Sequence, residues 1–239
     1  MVGPEDLLRI ARGLQESGGN GFLLSGGCRS NGTIPLSPFL DALKEIKDTT
    51  DLKVNVHTGI SDLEMARGLV NAGVDRLSVD IINEPTVLRA CIGHGLGIED
   101  YRITLDSLID AGGRVVPHFC VGMPLSTPEG ELEVLELLSG KDIQALVILG
   151  FIPTPGTPAA GYPAASSERI LDLIEGAVEK LDCPVLLGCM RPRRDRQLER
   201  EALEVGVNGI AVPGPQTLKW AREMGMDVHL RWECCAIYR

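Results

Sequence analysis

The stretch KVNVHTGISDLEMARGLVNAGVDRLSVDI, residues 53–81, decides the fold. Its first six residues set Val54 and Val56 against Asn55 and His57, the two-residue period of a strand with unlike faces. Ser61-Asp62 then supplies an N-cap signal, and residues 62–71 carry an amphipathic helical pattern. Ala72-Gly73-Val74 reads as a helix end, and residues 76–81 alternate again, with Leu77, Val79 and Ile81 opposed to Ser78 and Asp80. A strand, a helix and a strand within about thirty residues form a right-handed crossover, so the two strands lie parallel.

The same rhythm runs outward in both directions. Strands are expected at 21–25, 53–58, 76–81, 114–121, 145–151, 184–189, 209–212 and 227–232. Helical patterns lie at 5–16, 38–47, 62–71, 98–111, 128–138, 167–181, 195–204 and 215–224, with a shorter one at 84–91. Ser37-Pro38 and Thr127-Pro128 are further N-cap signals, each with Pro at the first helical position. Eight strands at this spacing predict an α/β fold, a parallel (β/α) barrel of the TIM type, formed by residues 1–239 as one domain.

Composition narrows the function. The 239 residues are 44% hydrophobic with a net charge of −10, which opposes a nucleic-acid or anionic-membrane partner. No apolar run reaches the roughly 20 residues of a membrane span, and residues 1–6 lack a secretory signal, so a cytoplasmic protein is expected. The basic run 191–196, broken by Pro192 and Asp195, reads as a solvated loop rather than an anion site. Seven cysteines, an odd number, do not make a disulfide framework; they are buried apolar side chains or thiolate ligands. Cys91 and Cys183 are read as core.

In a barrel the apolar face of each strand packs on the helices, which turns the other face into the lumen. That places Asn55 and His57, Ser78 and Asp80, and His118 and Cys120 inside, where barrels ordinarily hold branched apolar side chains. Unpartnered polar groups there cost about 1–3 kcal/mol each, so a polar binding cavity is expected. At the strand ends lie Leu24-Ser25-Gly26-Gly27-Cys28 and the rigid loop Phe151-Ile152-Pro153-Thr154-Pro155-Gly156-Thr157-Pro158, suited to presenting backbone carbonyls. Cys28, Cys120 and Cys189 sit at or near three strand ends, and Cys234 and Cys235 follow the last; they are either structural thiols or metal ligands. No nucleophile elbow, H-E-x-x-H or P-loop is present.

These residues, in this order, resemble the radical S-adenosylmethionine superfamily, and within it the homologues of biotin synthase. The likeness runs over essentially the whole chain. Ser25, Gly26 and Gly27 resemble the segment that binds the methionyl amino group, with Cys28 where much of the superfamily has a carboxylate. Asp80 stands where the family often places a ribose-binding acid. Residues 116–124, with His118, Cys120 and Gly122, resemble a fifth-strand segment that helps hold the cofactor. Ile152 and Pro153 resemble the start of a loop whose backbone contacts adenine, and Glu233-Cys234-Cys235-Ala236 a tail of the biotin-synthase-like group. The resemblance implies S-adenosylmethionine as cofactor, held by these residues with Asn55, His57 and Ser78. It also implies an iron–sulfur cluster, with Cys28, Cys120 and Cys189, joined by Arg191, as ligands of a second cluster.

The superfamily's CxxxCxxC spacing occurs nowhere in the sequence, and the family's first strand, which precedes it, has no counterpart. Either the chain is a truncated form or it is a degenerate relative, and truncation is the expectation. Strand 227–232 is expected to close the barrel in the gap. The function implied is that of an enzyme related to biotin and lipoyl synthases, which abstract hydrogen through a 5′-deoxyadenosyl radical from a small-molecule substrate. The alternative is a non-catalytic relative that binds S-adenosylmethionine or assists a partner subunit. A third reading is an unrelated barrel using His57, Asp80 and His118 for acid–base chemistry.

Overall fold

The structure, a computed structural model, describes residues 3–92, 95–193 and 195–237, with the backbone alone described for Cys91 and Arg196. Arg194, part of the basic run, lies outside the described residues. The chain begins with helix α1 (Pro4–Glu16) and then alternates strands and helices. Strand β1 (Gly21–Leu24) leads through a 3-10 turn at Ser37–Phe39 into α2 (Leu40–Thr49). There follow β2 (Lys53–His57), α3 (Leu63–Asn71), β3 (Arg76–Ile81), α4 (Pro85–Cys91), α5 (Ile98–Asp110) and β4 (Val115–Val121). Then come α6 (Pro128–Leu138), β5 (Leu146–Gly150), α7 (Ser167–Lys180), β6 (Val185–Leu187), α8 (Arg196–Val205), β7 (Gly209–Ile210) and α9 (Pro215–Glu223).

Among the described residues seven strands form one sheet in the order β1-β2-β3-β4-β5-β6-β7, every pair parallel. The sheet curls into a half-barrel with the helices outside. Capping follows the sequence signals at two sites. Asp62 accepts from the Met65 amide at 2.8 Å, and Thr127 from the Gly130 amide at 3.1 Å. Ser37 makes no such cap; its segment opens as a 3-10 turn instead.

Two apolar clusters divide the interior. The larger packs the outward strand faces on the helices, with Val54, Val56, Leu77, Val79, Val115 and Phe119 all buried. The smaller lies inside the curl and joins Val116, Ala145, Val147 and Leu186 to Ala236. Val116 and His118 share one strand parity, so the lumen is polar along β2–β4 and apolar along β4–β6. Leu23, opposite Asn55 in the ladder, is 46% exposed because the curl stays open beside β1.

The expected closing strand does not form. Residues 227–232 are irregular, with Leu230 and Trp232 exposed, and among the described residues no strand joins β7 to β1. The alternation of Val228, Leu230 and Trp232 with charged neighbours imitates a strand, but β7 is too short to template one. It spans Gly209–Ile210, and the chain then leaves the extended region at Val212, whose φ is 47°. A 3-10 turn at Cys235–Ile237 instead enters the lumen and packs against β2 and β3.

Candidate functional site

The reach of each polar side chain follows from strand register. Asn55 and Ser78 are both fully buried in the lumen, where the Ser78 hydroxyl donates to Asn55 Oδ1 at 2.8 Å. The Asn55 amide in turn donates to Cys234 Sγ at 3.7 Å, fastening the 234–237 turn to β2. One rung further toward the strand ends, Asp80 and His118 are partners across the β3–β4 ladder. His57, on the neighbouring strand, donates from Nδ1 to Asp80 Oδ2 at 2.7 Å. The His57 and His118 ring centroids lie 4.8 Å apart with the planes tilted by 52°. His118 is buried and donates from Nδ1 to the Val116 carbonyl at 3.1 Å.

Electrostatics follow from these contacts. Burial, with the His57 charge beside it, lowers the His118 pKa to about 4 against the favourable pull of Asp80, so the ring is neutral at pH 7. Burial works to raise the Asp80 pKa, but the His57 hydrogen bond and the nearby imidazole charges outweigh it and hold the carboxyl below its ordinary value. Burial pushes the Tyr101 phenol up, with Asp80 and Cys28 adding to the effect. The Cys235 thiol hydrogen-bonds Cys234 and lowers the Cys234 pKa to about 6, helped by the Ala236 amide, Asn55 and His57. The same pairing pushes Cys235 up.

Other residues singled out by sequence are placed as follows. Ser25, Gly26, Gly27 and Cys28 form an exposed loop after β1. Gly122 has a φ of 74°, and a Cβ there would meet the Ala165 Cβ at 2.6 Å, so glycine is required by the turn after β4. Its amide donates to Glu131 Oε1 at 2.6 Å, while Arg169 donates to the other Glu131 oxygen at 2.6 Å. Sequence reasoning missed this buried Glu131–Arg169 clasp, because both residues sit in ordinary amphipathic helices. Ile152 and Pro153 are half-buried at the end of β5.

Cys28 and Cys189 are exposed and Cys120 is half-buried. Cys183, half-buried at the entry to β6, packs against the larger core as expected, while the side chain of Cys91 lies outside what is described. Among the described residues the group of three or more metal-ligating side chains is His57, Asp80 and His118; Cys28, Cys120 and Cys189 do not assemble into one. Arg191 is not a surface charge. It is 1% exposed and donates to the carbonyls of Gly188 at 2.6 Å and Ala211 at 2.8 Å and to Glu199 at 2.5 Å. Those bonds commit its guanidinium to joining β6, β7 and α8.

A depression of about 580 Å³ lies between α2 and α3 on the outer helix layer, lined by Leu40, Leu63, Glu64, Arg67, Gly68 and Asn71. None of its lining residues belongs to the His57, Asp80 and His118 group at the strand ends. No helix among the described residues is long and apolar enough to cross a membrane.

No family model matches the chain. A biotin synthase from Syntrophotalea carbinolica is 28% identical over 154 residues, which make up 64% of this chain and 46% of that protein, so the match spans about half of the relative. Among solved structures, HydG, a maturase of the [FeFe]-hydrogenase, superposes with a TM-score of 0.68 at 15% identity, over 87% of this chain and 49% of that one. Methylornithine synthase (PylB) gives 0.65 at 15% identity, over 95% and 73%. At these identities the two structures show the fold alone. The chain is therefore similar in sequence to a biotin synthase over part of its length, and it shares a curled parallel half-barrel fold with HydG and PylB.

Proposed function

We propose that this chain is the barrel body of a protein that binds S-adenosylmethionine, or a close adenosyl relative, at the C-terminal ends of β1–β5. The observation that carries this reading is the convergence of Asn55, His57, Ser78, Asp80 and His118 on the concave face of a half-barrel homologous to biotin synthase. The donor set suits the ligand. Asp80, whose carboxylate side chain is 59% exposed, is free to accept from a ribose diol. The exposed glycine pair Gly26-Gly27 lets backbone groups approach the methionyl end. Ile152 and Pro153 border the same mouth, where an adenine would meet backbone carbonyls. Ala236 and its neighbours fill the floor below, so the ligand sits at the mouth rather than deep in the lumen.

An iron–sulfur cluster does not fit the donors described. The CxxxCxxC spacing is absent from the sequence, and Cys28, Cys120 and Cys189 do not converge. When bound and reduced in this superfamily, S-adenosylmethionine supplies hydrogen-abstracting chemistry. For this chain that activity requires a cluster from a partner subunit or from residues outside the sequence. The part assigned to the chain itself is to bind and orient the cofactor and a small-molecule substrate.

Calorimetric titration of EDTA-treated protein with S-adenosylmethionine and S-adenosylhomocysteine tests the reading. One-to-one binding is expected, weakened by about tenfold or more in Asp80→Ala. Absence of binding by either compound to the folded wild type overturns it.

A further inference from the structure

We propose that His57, Asp80 and His118 form a mononuclear site for a borderline divalent transition-metal cation of the Zn²⁺, Fe²⁺ or Co²⁺ class. Three adjacent strands each contribute one ligand, and the ligand atoms all lie within 4.8 Å of one another. Metal–ligand bonds of about 2.1 Å require ligand atoms about 3.0–3.4 Å apart, so closing the set takes less than about 1 Å of movement per side chain. Rotations at χ1 and χ2 supply that without moving the sheet.

The donor types select the cation. Two imidazoles and one carboxylate suit zinc and the later first-row metals, whereas Mg²⁺ and Ca²⁺ prefer sites built of oxygen alone. The surroundings match a ligating histidine. His118 donates from Nδ1 to the Val116 carbonyl, which fixes its neutral tautomer with the lone pair on Nε2. That Nε2 has no hydrogen-bond partner among the described residues, although the side chain is buried, with 5% of its area exposed.

A hydrogen bond holds His57 Nδ1 and Asp80 Oδ2 2.7 Å apart, and a cation bound between them replaces that hydrogen bond, with the neutral imidazole carrying its hydrogen on Nε2 instead. Three protein ligands on one side, with the Asp80 carboxylate facing solvent, leave coordination positions open toward the mouth. Such a site is of the catalytic rather than the closed structural type, and its open position takes water or an anionic oxygen of a small-molecule substrate. The inference does not rest on cofactor binding, since it concerns the cation alone.

The test is titration of EDTA-stripped protein with Co²⁺ or Zn²⁺ alone, without S-adenosylmethionine, followed by calorimetry and by the visible spectrum of the cobalt form. The expected result is one Co²⁺ per chain, with d–d bands free of thiolate charge transfer. Mg²⁺ should not compete. His118→Ala and Asp80→Asn should each weaken binding by about tenfold to a hundredfold. Asp80→Asn changes an exposed side chain by one atom, so it tests the site even if His118→Ala does not fold. No Co²⁺ binding by wild type, binding undiminished in Asp80→Asn, or a cobalt–thiolate charge-transfer band would each overturn the proposal.

Discussion

Arg191 carries more of the structure than its position in a run of arginines suggests. Its guanidinium reaches the Gly188 and Ala211 carbonyls and Glu199, and Glu199 also accepts from the Gly214 amide at 2.8 Å and the Thr217 hydroxyl at 2.5 Å. Removing one member of a buried pair strands the other, at a cost of about 3–5 kcal/mol. Arg191→Ala should therefore lower stability by about that amount in urea denaturation, while Arg193→Ala, at an exposed position, should change it by under about 1 kcal/mol. Equal effects from the two would show that the buried network has no special weight. Charge alone hid this from a sequence reading, because nothing in the order of residues 191–196 says which arginine turns inward. The polar set was legible for the opposite reason: Asn55, His57, Ser78, Asp80 and His118 alternate with apolar neighbours, and a parallel strand leaves such residues one place to go. The role of Cys234 as acceptor for Asn55 was not legible, since it comes from a different part of the chain.

Among the elements, β3 shows how a strand is pinned at its start. Asp75 accepts from Lys47 of α2 at 2.6 Å and from the Val54 amide of β2 at 2.8 Å, and Lys53 lies 3.3 Å away. Burial works to raise the Asp75 pKa, but these partners outweigh it and hold the carboxyl below its ordinary value. A carboxylate depressed in this way stabilises the fold fully above the unfolded pKa near 4, and loses that contribution as pH falls through its folded value. Asp75→Asn should cost about 1–3 kcal/mol at neutral pH and flatten the acid limb of stability below about pH 4. Denaturation curves at several pH values would check this; an unchanged acid limb would remove Asp75 from the account. The order of strands and helices was readable from periodicity and caps, and boundaries moved by a residue or two. The misreading at 227–232 came from the same rule, because period-two alternation describes a strand only where an edge exists to pair with. A two-residue β7 gives almost no ladder for an eighth strand.

At the scale of the molecule, the open curl is finished by a turn rather than a strand. Ala236 is fully buried against Val116, Ala145, Val147 and Leu186. A carboxylate at that position would lie among apolar side chains without a partner, at a cost of several kcal/mol unless the segment leaves the lumen. Ala236→Asp should accordingly release the turn. Thiol labelling with an aromatic disulfide should then modify Cys234 and Cys235 much faster than in wild type, with the far-ultraviolet circular dichroism spectrum preserved. Wild-type labelling rates in that variant would mean the turn is not held by this contact.

The Asn55–Cys234 contact joins residues 179 apart in the chain, whereas each strand pairs with its immediate successor. The two kinds of contact separate in time. During synthesis the ladder can grow strand by strand as the chain emerges, each addition closing a short loop. The inside of the curl stays wet until residues 234–237 arrive, so a nascent chain halted before them exposes Val147 and Leu186 to solvent. The last contact to form is therefore the one that makes the interior dry, and the interval before it is when the protein is most open to capture by a chaperone or by another copy of itself.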